Sequence, residues 1–125
     1  MKATGKARRP APDAAVVIEA HDIPARDPVL ILPGETVTVG ARDTEWPAFV
    51  FIEGRNGSGW VPARCLGRDR PIASVVERYD TRELATRAGE HLVVLSHDLE
   101  AGWTWCRNAA GAEGWVPQRT LRACT

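Results

Sequence analysis

Four stretches of the chain alternate side chains with the period of two that belongs to a strand. Thr36-Val37-Thr38-Val39 and His91-Leu92-Val93-Val94 place Val37, Val39, Leu92 and Val94 on one strand face. The stretches around Phe49-Val50-Phe51 and Trp103-Thr104-Trp105-Cys106 alternate similarly. Asn56-Gly57 and Ala110-Gly111 stand between two such strands, at the turn of a hairpin, where glycine takes positive φ without a Cβ penalty. Helical signals are nearly absent. Thr81 to Gly89 holds helix-forming residues, but strand patterns interrupt it on either side. The pattern predicts an all-β chain of short strands.

The alternation recurs because the chain contains one module twice. Gly34-Glu35 is followed by Gly59-Trp60-Val61-Pro62, and Gly89-Glu90 by Gly114-Trp115-Val116-Pro117, with the same 25-residue spacing. At an offset of 55, Val39, Asp43, Arg64 and Leu66 match Val94, Asp98, Arg119 and Leu121. Upstream, Val17-Ile18-Glu19-Ala20-His21-Asp22 pairs with Val75-Val76-Glu77-Arg78-Tyr79-Asp80 at an offset of 58, so the intervening segment is three residues shorter in the second copy. A length change of this kind marks a loop.

Each copy reads as four or five short strands closing on themselves into a small barrel. At about 50 to 55 residues a copy lies near the lower limit for folding alone, so packing between the copies is expected to contribute to stability. Gly67-Arg68-Asp69-Arg70-Pro71 joins them and spans at most roughly 18 Å, which brings the barrels into contact. The expected division is a disordered arm over 1–14, a first barrel over 15–67 and a second over 72–123.

Composition narrows the function. In 125 residues, 44% are hydrophobic and 26% charged, as in a globular protein, and sixteen basic residues offset sixteen acidic ones. Lys2, Lys6, Arg8 and Arg9 lie in the arm with Pro10 and Pro12, so the remainder is net acidic. Nucleic acid and anionic membrane are therefore not expected partners. The longest clean apolar run is Val29 to Leu32, far short of the ~20 residues of a membrane helix, and no apolar segment follows Met1. A soluble protein of the reducing cytoplasm is expected.

The residues offer little for catalysis. Cys65, Cys106 and Cys124 form neither a CxxC pair nor a Cys/His cluster, and Cys106 reads as a small core residue. His21, His91 and His97 show no ligand spacing and read as surface or half-buried residues. Ser96-His97-Asp98 cannot form a relay, because adjacent residues point apart. Neither Gly34-Glu35 nor Gly54-Arg55-Asn56-Gly57 has the strand-to-helix setting of a phosphate loop. No enzyme activity, metal or other cofactor is expected.

Gly-Trp-Val-Pro followed by two residues and a Cys/Thr-Leu end resembles the closing strand, short helical turn and last strand of SH3 (Src homology 3) domains. The second copy adds Tyr79-Asp80, Glu83-Leu84 and Gly89-Glu90, which look like that family's Tyr-Asp, acidic-Leu and Gly-Glu landmarks. Trp103 stands where the family has its groove tryptophan. The resemblance covers about residues 15 to 123 in two copies and extends to the tandem, variant SH3-like proteins of bacteria, among which Glu45-Trp46-Pro47 followed by Phe49-Val50 is a familiar form. It implies all-β architecture, two tandem SH3-like small β-barrels packed closely together, and an aromatic groove for a polyproline-type peptide.

Carried over by position, the resemblance implies a peptide site of Tyr79, Trp103 and Pro117, with Trp115 nearby and Glu83 placed to pair with a ligand Arg. In the first copy Trp46, Trp60 and Pro62 remain, while His21, Ile23 and Cys65 stand where the family has aromatics, and Trp46 lies two positions out of register with Trp103. Trp60 and Trp115 suit core or interdomain packing as well as ligand contact, and Trp105 suits a groove wall or an interface. Trp103, after Gly102 and preceding a strand, is expected to be partly exposed and to contact ligand. The leading expectation is a non-catalytic tandem adaptor that recognises an extended, Pro-rich or other, peptide or protein segment mainly through the second barrel. A structural or assembly module is the alternative, its grooves filled by each other, by Arg8-Arg9-Pro10-Ala11-Pro12, or by a second copy in a homo-oligomer. Cell-wall peptide binding is a third, less favoured reading.

Overall fold

Short runs of alternating apolar residues, cut by glycine and proline, form eleven strands in the computed structural model, which describes residues 13–123. They are β1 (Asp13–Val17), β2 (Leu30–Ile31), β3 (Thr36–Arg42), β4 (Phe49–Gly54), β5 (Gly57–Pro62), β6 (Ile72–Ser74), β7 (Tyr79–Asp80), β8 (His91–Asp98), β9 (Trp103–Arg107), β10 (Glu113–Pro117) and β11 (Leu121–Ala123). Single 3-10 turns at Ala63–Cys65 and Gln118–Thr120 follow the two Gly-Trp-Val-Pro strands. Thr81 to Gly89 forms no helix. Gly57 and Gly111, at the two expected hairpin turns, have φ of +136° and +89°. Residues 1–12 of the expected arm lie outside the described residues, but Asp13 and Ala14 are already strand, because their backbone pairs with Val94 and Val93.

The strands make sheets of order β10-β9-β8-β1-β11, β5-β4-β3-β6 and β2-β7. None of these sheets closes into a barrel. The ladders also cross the division expected at 67–72. β1, from the first copy, lies between β8 and β11 of the second, with Ala15 opposite both Leu92 and Ala123. β6, from the second copy, lies against β3 of the first, with Val37 opposite Ala73. Leu30 and Ile31 pair with Asp80 and Tyr79, and His21 bridges Thr86.

Sorted by these bonds, the chain forms an inner unit of residues 28–81 and an outer unit of residues 13–23 with 82–123. The inner unit is thus inserted into a loop of the outer one. Gly67–Pro71 is a turn within the inner unit: Gly67 N–H donates to Ser74 C=O (2.8 Å), Val39 N–H donates to Pro71 C=O (2.7 Å), and Leu66 bridges Val75. The expected linker between barrels therefore turns back within one unit, from the Leu66 bridge to β6.

The buried residues follow the same partition. Ala15, Val17, Leu84, Leu92, Val94, Cys106 and Val116 form the outer core. The inner core gathers Val29, Ile31, Val37, Ile52, Val61, Ala73, Val75 and Tyr79 with others, and receives two residues from the outer unit, Ala101 and Trp103. Ala15 and Val17 occupy in the outer core the places that Ala73 and Val75 occupy in the inner one.

A chain cut within Gly67–Pro71 is expected to yield two pieces that stay together, because each supplies a strand to the other's sheet. They should co-elute with the intact protein on native size exclusion and part only in denaturant. Pieces that separate without denaturant would contradict the exchanged pairing.

Candidate functional site

Ladder register identifies which aromatic positions correspond. Pro62 pairs with Phe49 and Pro117 with Trp103, so Phe49 is the inner counterpart of Trp103. Phe51 and Trp60 likewise correspond to Trp105 and Trp115. Both pairs cross edge to face, at ring centroids of 5.2 and 5.1 Å. Phe49 and its partner Pro62 are 13 positions apart and Trp103 and Pro117 are 14, so the inner hairpin is one residue shorter, which shifts the equivalence of β4 and β9 to an offset of 54. Trp46 is thus a loop residue ahead of β4, rather than a displaced copy of Trp103. Aligning the repeats from their hairpin turns would have found Phe49.

The counterparts Phe49 and Trp103 meet edge to face between the units. Trp103 is 8% exposed and packs against Trp46 (5.0 Å), the edge of His21 (5.4 Å) and Phe49 (6.4 Å). Its Nε1 is buried without a hydrogen-bond partner among the described residues. The expected partly exposed indole is therefore a core residue, because the outer unit presses this ring into the inner core. Tyr79 is 6% exposed, touches Phe49 and stacks on Trp115 at 5.7 Å with an interplanar angle of 10°. Trp115 is half-buried, and its indole N–H donates to Asp80 C=O (2.8 Å). Pro62 and Pro117 are fully buried. Burial raises the Tyr79 phenol well above its ordinary range.

A polar clamp closes one side of the junction. Arg64, on the inner 3-10 turn, donates to both carboxylate oxygens of Asp98 (2.8 and 3.2 Å) and to Glu100 (3.1 Å). Asp98, 8% exposed, also accepts from Ala101 N–H (3.1 Å). On the other side His21 Nε2 donates to Glu83 Oε1 (2.8 Å). Sequence reasoning gave neither His21 nor Arg64 a role, since each acts only across the junction.

What stays open is a cleft of about 390 Å³ where the units meet. Its walls are the half-buried rings of Trp46 and Trp60 with Ile23 and Pro24, its floor includes Phe49 and Trp103, and Asp22, Asp43 and Glu83 line its rim. A recess of about 270 Å³ continues past Trp60 between Pro24, Arg26, Pro28 and Thr81. Of the sequence-derived candidates, the structure brings Trp46, Trp60, Glu83 and Trp103 to this cleft. Tyr79, Trp115, Pro62 and Pro117 are not on its lining. Tyr79 and Trp115 instead line a separate hollow of about 240 Å³, together with Trp105, Arg78, Asp80 and Ser96.

Cys65 and Cys106 are completely buried, and burial pushes both thiols up to about 11, away from a nucleophilic thiolate. Cys124 lies outside the described residues. No group of three His, Cys, Asp or Glu side chains is placed to hold a metal ion among the described residues.

Residues 77–118 match the family model of the SH3 domain, which supports such a domain in this part of the chain. No curated protein and no solved structure matches the chain. The matched stretch begins with residues whose strand, β7, pairs with β2 of the inner unit.

Two outcomes are expected. Trp103→Ala should lower the unfolding free energy by about 3–5 kcal/mol, as truncation of a buried ring does, measured by urea denaturation. A loss below about 1 kcal/mol would show that the ring is not part of the core. The two thiols set a pH response. Their folded values near 11 exceed the unfolded value of 9.0, so their contribution is fully present below pH 9 and is lost as pH rises through about 11. A Cys65→Ala, Cys106→Ala double variant should lose stability less steeply over that window.

Proposed function

We propose that the protein is a non-catalytic interaction module of two SH3-like units that holds an extended peptide or protein segment in the cleft at their junction. The family match over residues 77–118 supports a protein-interaction role. The observation that carries the choice of surface is the arrangement of rings. Trp46, with Arg119 over its ring, and Trp60 are half-buried and line a cleft of about 390 Å³, whereas Tyr79, Trp103, Pro62 and Pro117 are buried in packing. Apolar walls between carboxylates suit a segment that combines proline or other apolar residues with Arg or Lys. In this reading the second copy does not act alone, since both units supply the cleft.

A second reading has its own support. The Phe49–Tyr79 and Trp103–His21 pairs occupy corresponding places and cover one another, as they would in an assembly module whose grooves are filled from within. The two readings are compatible. Internal filling accounts for the buried rings, and the remaining cleft accounts for the ligand.

A screen of Pro- and Arg-containing peptides against the full chain, read by NMR shifts, tests the proposal. Trp46→Ala should weaken a selected peptide by about 2 kcal/mol, the scale of a binding hot spot, with the spectrum of the folded protein retained. Binding should also weaken with added salt, because the rim carboxylates are exposed enough to be screened. A selected peptide that binds Trp46→Ala as well as wild type would place the ligand elsewhere.

A further inference from the structure

The two units differ at one strand edge. Phe49–Pro62 is a non-hydrogen-bonded pair of the β4–β5 ladder, because Pro62 has no N–H. Two residues on, Phe51–Trp60 belongs to the same class, so the N–H and C=O of Trp60 both point away from β4. Trp115 holds the corresponding position in the outer unit, and there the outward groups are used. Trp115 N–H donates to Arg82 C=O (2.9 Å), and Leu84 N–H donates to Trp115 C=O (3.0 Å). The Trp115 indole is also held, by Asp80 C=O and by the Tyr79 ring.

Trp60 makes none of the corresponding contacts among the described residues. The 270 Å³ recess lies beside it instead. The preceding glycines report the same difference. A Cβ on Gly114 would stand 2.7 Å from the Glu83 carbonyl carbon and 2.8 Å from Leu84 N, whereas on Gly59 it would meet nothing nearer than the Thr81 methyl at 3.5 Å. Among the described residues, backbone is seated against β10 and none is seated in the corresponding place against β5. The cause is local: Arg26 N–H donates to Pro24 C=O (2.9 Å), a tight turn that carries the segment after Ile23 away from the extended path that Arg82–Leu84 follows.

We propose that the Gly59–Trp60 edge of β5 takes up an extended segment of a partner polypeptide by strand addition, in the manner in which Arg82–Leu84 lies on β10. This rests on the peptide-binding reading above and specifies its backbone contacts. The segment offers one C=O and one N–H to Trp60 and a flat or aliphatic side chain to the indole face. In the recess itself Arg26 and Arg82 stand against Asp27 and Glu83, so the charge preference comes from the adjoining cleft, whose lining among the described residues carries Asp22, Asp43 and Glu83 and no Lys or Arg. The partner segment therefore bears a basic residue where it crosses that rim.

The chain supplies its own probe. A synthetic Tyr-Asp-Thr-Arg-Glu-Leu-Ala peptide, copying residues 79–85 and flanked by an arginine at each end, is titrated into the full chain labelled with 15N. Shifts should concentrate on the backbone amide and indole of Trp60. Gly59→Ala should keep the folded spectrum, since its methyl has room, and weaken the peptide roughly tenfold or more by meeting the incoming backbone. N-methylation of the peptide's Leu nitrogen should weaken it comparably. Absence of peptide binding would overturn the proposal. So would binding indifferent to both changes, and in that case sensitivity to Trp46→Ala would leave the cleft reading standing. A roughly tenfold gain in affinity on deleting residues 1–12 would assign the edge to the chain's own arm instead of a partner.

Discussion

The hydrogen bonding of β1 between β8 and β11 is the constraint from which the rest of the architecture follows. A strand from the start of the described chain completes a sheet whose other members all lie after residue 90. Everything between must then leave the outer unit and return to it. Residues 28–81 do so as a unit with their own sheet and core, closed by β6, which takes beside β3 the role that β1 plays beside β8. The two units are therefore joined by two crossings of the chain instead of one, and their docking rests on the packing and ion pairing at the junction.

That path sets the faces that meet. Insertion through a loop brings the corresponding positions Phe49 and Trp103 together and drives Trp103 into a core that is otherwise built from the inner unit. Burial of such a ring is stabilising by a few kcal/mol, comparable to a substantial part of a small domain's net stability. The junction also carries charge. Asp98 is removed from water, and its two oxygens are satisfied by the Arg64 fork and by Ala101 N–H, so the pair acts as a geometric key for the docking more than as a source of free energy. The residues spent in this way are those that a groove would otherwise present. Trp46 and Trp60 are only half-buried, because one sits on a loop and the other on an outer strand edge, although both also pack against the core.

The local elements and their repetition were legible in the sequence. Alternation placed the strands around Val37, Phe49, Leu92 and Trp103, glycine marked the hairpins, and the repeated Gly-Trp-Val-Pro block marked the strands that lead into the two 3-10 turns. These are short-range features: a period of two and a positive φ are properties of a few consecutive residues. The resemblance of the second copy to SH3 domains, and the family match to residues 77–118, draw on the same short-range order.

The pairing of the elements was decided by tertiary structure alone. Ala15 and Val17 on β1 present the same small apolar face as Ala73 and Val75 near β6, so either strand fits either core, and no local preference distinguishes a strand that folds back on its own module from one that crosses to the other. The exchange turned an expected linker at Gly67–Pro71 into a turn within one sheet and an expected groove tryptophan into a core residue. It also made His21 and Arg64 partners of Glu83 and Asp98, which lie 62 and 34 residues away. Sequence determined what each segment is, because that depends on neighbours along the chain. Only the folded path determined which of those segments face water, because that depends on the neighbours brought to them through space.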